Sequence, residues 1–386
     1  MASGKNQGVD GKSGAFFRQA RRSGLCPDAE AVHRSAVTKA RAKLPWTAFE
    51  QVHHQAVRLA YELWPESADH TWQGLSVFAI DGSKNRLPAT DALRQAFDPD
   101  SGLDRPGHGH YPQCLVSTAY DVFRHLPVAR TVQPIAKADE REEAKALLPH
   151  IPAGGVLLFD RGYPSYDLID HLRHHYRGYW LIRSPASATF PAVEAFVQSS
   201  QTEAILTLTP PKAKPIIVRV LRLVSPDGEV SVLLTSLHDT ERFPAEAVVS
   251  LYFRRWAVET HYRDEKTVLD IETFHSHSEN GIRQELFAIL IMAVIARLLA
   301  VLMTDADQPA QTEPQFKHAM ITLAEDAFVL TPQRPERALV IFSEILKEIA
   351  RVRYYRPTTP RTSQPRVSRK PINKWQTHKT KRMVTA

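Results

Sequence analysis

Three carboxylates in this sequence, Asp81, Asp160 and Glu259, have the type and setting to hold hard divalent cations. Asp81 closes the apolar run LSVFAID, and Asp160 closes GGVLLFD. Each run reads as a short buried strand ending in a carboxylate. A single strand-end Asp often only caps a turn. Two in matching contexts, on neighbouring strands, would project from one end of a sheet into the same crevice. Carboxylates so placed repel one another unless they share a proton or a cation. Paired hard oxygen ligands suit Mg²⁺ or Mn²⁺.

Glu259 lies in the segment YFRRWAVETHYRDEK, which reads as one helix. Tyr252, Arg255, Glu259 and Lys266 follow one another at spacings of three, four and seven. At about 100° per residue they fall within roughly 60° of arc, so a phenol, a guanidinium, a carboxylate and an ammonium group share one face. An amphipathic helix with i,i+4 ion pairs accounts for Arg255 beside Glu259. It does not account for Tyr252 and Lys266 continuing the stripe. Val258 and Tyr262 are expected to help bury the neighbouring face.

The elements that must position these groups change in texture along the chain. Residues 1 to about 14 read as disordered, and the pattern from Phe16 to about Trp64 is helical. Within it AEAVHRSAVTKARAKLPW interleaves Arg34, Lys39, Arg41 and Lys43 with apolar positions and ends at Pro45. A basic helix of this kind docks on phosphates or presents a solvated face; both readings stand. After Asp81 comes a Pro/Gly/Asp-rich loop through His110, with Lys84 and Arg86 placed to touch a phosphate backbone. Then follow PQCLVSTAYDVF and LPVARTVQPI as strands, DEREEAKALLPHI as a helix, the Asp160 strand, SYDLIDHLRHHY as a helix and GYWLIRS as a strand. Strand, strand, strand, helix, strand, helix, strand is the order of a ribonuclease-H-like α/β core, three antiparallel strands followed by alternating helices and parallel strands. The first and fourth strands are neighbours in that topology. Residues 186–244 read as an all-β insertion whose last two strands are joined by SPDGEV. Helix resumes at Ala245 and dominates to about Arg353. The predicted divisions are therefore a helical region 1–70, a core in two parts, 71–185 and 245–353, the insertion 186–244, and a tail 354–386.

Composition narrows the class of protein. The chain has 386 residues, 43% hydrophobic and 24% charged, as in ordinary globular proteins, and a net charge of +7 that suits a polyanionic partner. Cys26 and Cys114 are too far apart in sequence to suggest a metal pair or a disulfide framework, which makes a reducing cytoplasm the expected compartment. The polar start MASGKNQGVDGKSG lacks the apolar core of a signal peptide. LFAILIMAVIARLLAVLM contains Arg297 and has charged flanks, so it is read as a buried core helix and not a membrane span. The residues after Arg353 carry no acidic group; Arg369, Lys370 and Lys374 are the tail positions expected to meet phosphates. The pairs His108/His110, His174/His175 and His275/His277 lack partner clusters at zinc-ligand spacing. Arg161, beside Asp160, is open to a carboxylate or a phosphate partner. Trp180 and Trp256 are by position candidates to stack on an unpaired base, with core the favoured reading of each.

The spacing tyrosine, two residues, arginine, three residues, glutamate, six residues, lysine resembles the signature of bacterial insertion-sequence DDE transposases of the insertion-sequence-four family. FAIDGSKNRLP resembles that family's first-aspartate region and LLFDRGYPSYDLI its second. SAVTKARAKLPWTAFE, ENGIRQELFAIL and RKPINKW also fit, so the resemblance covers most of the chain. It implies binding of terminal inverted repeats, metal-dependent strand cleavage that frees a 3′-hydroxyl, and strand transfer into target DNA by a homodimer in the bacterial cytoplasm, at the nucleoid. Two Mg²⁺ ions, replaceable by Mn²⁺, would be held by Asp81, Asp160 and Glu259, an arrangement able to stabilise both attacking and leaving oxygens. Arg255, Lys266 and Tyr252 would grip phosphates or a strand end. The alternatives are a metal nuclease that does not join DNA and a non-catalytic DNA-binding protein derived from a transposase. The intact carboxylate set argues against the latter.

Overall fold

The computed structural model describes residues 9–355, apart from 23, 25, 102–109, 188, 212–213, 226–227, 268–273, 304–311 and 331–334. Arg369, Lys370, Lys374 and His108 lie outside the described residues. Three helices come first: α1 (Val9–Arg22), α2 (Arg34–Lys43) and α3 (Trp46–Leu63). Helix therefore starts within the stretch expected to be disordered. Gly11 and Gly14 lower its intrinsic propensity, and packing of Ser13 and Ala20 offsets that. The central elements are β1 (Val77–Arg86), α4 (Asp91–Phe97), β2 (Gln113–Asp121), β3 (Leu126–Pro134), α5 (Glu140–Leu147), β4 (Val156–Phe159), α6 (Tyr166–His175) and β5 (Tyr179–Pro185). Next are α7 (Pro191–Gln198), β6 (Glu203–Leu208), β7 (Ile216–Val224) and β8 (Val230–Thr235), then α8 (Ala245–Phe253), α9 (Trp256–Thr267) and α10 (Glu279–Leu302). The last described elements are β9 (Thr312–Pro314), α11 (Phe316–Leu330), α12 (Pro335–Arg351) and β10 (Arg353–Tyr355), where β9 and β10 pair antiparallel at the end of the region read as dominated by helix.

One mixed sheet organises these elements, in the order β3-β2-β1-β4-β5-β8-β7-β6. β1, β2 and β3 are antiparallel, while β4 runs parallel to β1 and β5 parallel to β4. This is the strand arrangement anticipated for a ribonuclease-H-like core. The segment read as an all-β insertion differs in two respects. It contains α7, and β8 pairs antiparallel with β5, so its strands lengthen the central sheet. Pro191 at the first turn was the helix signal. The Arg222 side chain then closes α7 by donating to the carbonyls of Phe196, Val197 and Ser199.

Helices cover both faces of the sheet, which is why its central strands are continuous apolar runs and do not alternate. Phe78, Ile80, Leu157 and Phe159 face a core with α3, α5, α6 and α7. Val77, Ala79, Val156 and Leu158 face a second core with α4, α8 and α9. α4 forms inside the supposed loop because Thr90 caps it and Leu93 and Phe97, four apart, are both buried. The apolar helix α10 joins the layers. Ile282 and Leu286 enter the second core, Val294 and Leu298 the first, and Ala296 and Leu299 a third with α11 and α12. By length and hydropathy alone α10 could cross a membrane; its contacts make it the spine of the interior.

Candidate active site

Register brings the two aspartates together. β1 and β4 align Ala79 with Leu158. Two residues further on are Asp81, still within β1 and on the face of Ala79, and Asp160, just past the end of β4, close enough for their charges to be felt by one another. Asp81 is not at a strand end as expected. β1 continues past it to Arg86 because its antiparallel ladder with β2 runs on to the pair Arg86–Gln113, whereas β4 stops at Phe159. Asp160 lies in the turn that follows, where its Oδ1 accepts a hydrogen bond of 2.8 Å from the Gly162 amide.

α9 packs on that face, and the way it is anchored explains how Glu259 arrives there. Tyr262 is buried, and its hydroxyl donates to the backbone carbonyl of Asp81 at 2.7 Å and to that of Val116 at 3.2 Å. Behind it Arg130 forms a fully buried ion pair with Glu265 at 2.8 Å. The helix is thereby tied to β1 at Asp81 itself. One turn earlier, Glu259 accepts a 2.5 Å hydrogen bond from Arg255, whose other terminal nitrogen is 4.0 Å from Asp81 Oδ2. Arg255 thus stands between two of the three carboxylates.

The single helix read through YFRRWAVETHYRDEK is interrupted. α8 ends at Phe253, and the amides of Arg254 and Arg255 bond three residues back, to Leu251 and Tyr252, before α9 begins. The 100° periodicity does not carry across this tightened turn. Its outcome is that Tyr252 points inward, only 5% exposed, beside Arg255, while Phe253 and Trp256 are exposed. Trp256 is accordingly a surface residue and not core, whereas Trp180 is buried as read.

Electrostatics follow from this crowding. Burial pushes the Asp81 carboxyl up to about 7; Arg255 counteracts this, and Asp160 and Glu259 add to it. Burial likewise raises the Tyr252 phenol. Among the described residues no three Asp, Glu, His or Cys side chains converge as an assembled metal centre would. The donor chemistry nevertheless fits a divalent cation: hard carboxylate oxygens, partly desolvated, with the Asp81 carboxyl raised mainly by its burial. Arg255 occupies the corresponding electrostatic role between Asp81 and Glu259.

The basic residues separate into two groups. Lys266 reaches β1, where its ammonium donates to the Lys84 carbonyl at 3.0 Å, and the Lys84 and Arg86 side chains are exposed on the extension of that strand. On α2, Lys39, Lys43 and Arg34 are exposed. Arg41 is committed to α10: it donates to Gln284 and the Gly281 carbonyl and pairs with Glu285 at 2.8 Å. Arg161 is exposed beside Asp160. His110 meets Asp98, His174 meets Asp170, and His275 meets Glu285. Sequence reasoning passed over Arg183. β4 and β5 align Phe159 with Ile182, so Arg183 follows Asp160 in the next strand and lies near Tyr252. The signal was present in GYWLIRS, whose Arg183 comes next after the Ile182 that pairs with Phe159, as Asp160 comes next after Phe159.

Residues 72–295, more than half of the chain, match the model of the family described as the transposase DDE domain. The chain belongs to the DDE transposase family. Among its curated relatives is the transposase InsG of insertion sequence element IS4 from Escherichia coli (strain K12), 27% identical over 282 residues. That match takes in 70% of this chain but only 62% of the relative's length. Among solved structures, the piggyBac transposase in a synaptic complex with hairpin DNA is a distant likeness, with a TM-score of 0.41 and 11% identity over 70% of this chain and 57% of the other. DDE transposases as a family work with divalent metal ions.

Proposed function

We propose that this DDE transposase binds the inverted-repeat ends of its element, cuts there and joins the freed ends to target DNA. The observation that carries the reading is the register of β1 and β4, which sets Asp81 beside Asp160, with α9 supplying Glu259 on the same face. Asp81, Asp160 and Glu259 would hold two divalent cations, Mg²⁺ by preference and Mn²⁺ as a substitute. When bound, such ions supply charge neutralisation for both the attacking and the departing oxygen.

The remaining chemistry falls to the chain's own residues. In the first step water attacks the phosphorus, the bond to the 3′-oxygen breaks, and a 3′-hydroxyl and a 5′-phosphate result. In the second that hydroxyl attacks a target phosphodiester and displaces the target's 3′-oxygen. Arg255 and Arg183 flank the carboxylates and are suited to clamp non-bridging phosphate oxygens, the guanidinium fork giving two parallel hydrogen bonds. Lys266, Lys84 and Arg86 extend a cationic path along β1, with Lys39, Lys43 and Arg34 as a second set on α2. The exposed rings of Phe253 and Trp256 suit stacking on an unpaired base beside the cut. Two ends must be paired before transfer, so the working form is a homodimer on DNA, in the bacterial cytoplasm at the nucleoid.

The test incubates full-length protein with element ends, a target plasmid and Mg²⁺, scoring nicks and joined products separately. Joined product is expected, and nicks alone would leave a nuclease. Glu259→Ala should abolish both while end binding persists. Undiminished cleavage by that variant would overturn the site.

A further inference from the structure

Two glycines follow the two aspartates, Gly82 directly after Asp81 and Gly162 two residues after Asp160, and one side chain fills the space both leave. A Cβ placed on Gly82 would lie 2.7 Å from Glu140 Oε1, and one on Gly162 would lie 3.8 Å from Glu140 Oε2 and 3.2 Å from Asp160 Oδ1. Gly82 continues the alternation of Phe78 and Ile80, so it opens towards the α5 side of the sheet. Glu140 is the first residue of α5, where the free amides of a helix start favour a carboxylate. It therefore approaches the strand ends from the face opposite to Glu259.

A second observation points into the same space. The Tyr163 side chain is fully buried, and among the described residues its hydroxyl has no hydrogen-bond partner. The charged groups around that phenol are Asp81, Glu140 and Asp160. A buried donor left unsatisfied is costly, and native proteins retain one where something else completes the arrangement.

We propose that Glu140 is a fourth carboxylate ligand of the divalent-cation site formed by Asp81, Asp160 and Glu259. The proposal rests on the metal-dependent reading above. It gives Gly82 and Gly162 a purpose, since any side chain at either would crowd the Glu140 or Asp160 carboxylate. It also brackets the aspartate pair with one glutamate from each face of the sheet, giving the oxygen-rich surroundings that Mg²⁺ and Mn²⁺ prefer.

The test is Mn²⁺ binding to the full-length, DNA-free protein, followed by isothermal titration calorimetry, with circular dichroism to check folding. Glu140→Gln should weaken Mn²⁺ binding at least tenfold. Glu142→Gln, two residues along and paired with Lys145, should leave it unchanged. Gly82→Ala keeps the Glu140 carboxylate but displaces it, and should weaken Mn²⁺ to a similar degree. The double variant Gly82→Ala/Glu140→Gln should be no worse than Glu140→Gln alone. Wild-type affinity in Glu140→Gln, or a Gly82→Ala loss that adds fully to it, would overturn the assignment. Asp81→Asn and Glu259→Gln separate the two readings. If they lose Mn²⁺ while Glu140→Gln does not, only the fourth ligand fails; if they too bind normally, the metal site itself fails.

Discussion

Asp81→Asn should make the metal-free protein more stable, and only above a particular pH. In the folded chain the Asp81 carboxyl sits at about 7 against an ordinary 3.8, chiefly because of burial. A difference of this size corresponds to a ceiling of about 4 kcal/mol for ionising the group inside the fold. Water penetration at an 18% exposed side chain reduces this, so a gain of about 1–3 kcal/mol is the working expectation. The sign follows from proton counting. Below about pH 3 both folded and unfolded states hold the proton, and Asp81 costs nothing. As pH rises towards 7 the unfolded state releases its proton while the folded state keeps it, so stability falls through that window. Above about 7 the folded group ionises and the full penalty applies. Asparagine copies the protonated carboxyl at every pH. Urea unfolding of wild type and Asp81→Asn should therefore nearly coincide at pH 3 and separate progressively to pH 8, with the variant more stable. Mg²⁺ at pH 8 should stabilise the wild type and reduce the gap, since a cation binds only the ionised form. A stability difference independent of pH, or a variant less stable at pH 8, would refute the account of Asp81 as a strained, desolvated charge.

Arg255→Gln removes the cation that restrains Asp81, so the pH at which the Asp81→Asn advantage is complete should move above 7; an unmoved midpoint in the same urea series would mean that Arg255 does not feel Asp81. Tyr262→Phe deletes the hydroxyl that holds α9 to the Asp81 and Val116 carbonyls. It should cost about 1–3 kcal/mol by urea denaturation and slow strand cleavage more than it weakens DNA binding; unchanged stability would mean the anchor is unimportant. Removing residues 357–386 should weaken DNA binding and flatten its dependence on salt, whereas an unaltered salt slope would make the tail a solubiliser.

How much of this could be read from sequence depended on whether the deciding interaction was local. The order of strands and helices was legible because apolar runs and turn residues are local signals, and order alone restricts which strands can be neighbours. The segment after β5 was misread in kind because AVEAFVQ is short and β-branched in part, and because nothing in β8 itself announces that its partner is β5. The extension of β1 past Asp81 was also hidden: GSKNR has little strand character, and it is the ladder with β2 that holds it extended. Glu140 was overlooked for the same kind of reason. It sits in the charged run DEREEAK, where any of four acidic side chains could be the exposed one, and only the absence of side chains at two distant glycines singles it out.

The tyrosine–arginine–glutamate–lysine spacing is read from sequence as one stripe on an unbroken helix, and the structure replaces that geometry with two helices and a tightened turn. An unbroken helix would have put all four side chains on one stripe, facing one way. The tightened turn at Arg254 and Arg255 gives them different tasks. Tyr252 turns into the core beside Arg255, Arg255 spans Asp81 and Glu259, and Lys266 fastens onto the strand that carries Asp81. A straight helix could offer Glu259 to the aspartates or Tyr252 to the interior, but Tyr252 and Glu259 are seven residues apart and would share one face. The break lets one segment serve the interior and the crevice together. It also explains why Arg255 belongs next to it: a guanidinium at the turn is near enough to α9 to pair with Glu259 and near enough to β1 to reach towards Asp81. Replacing the turn with a continuous helix would remove that reach even with every side chain retained.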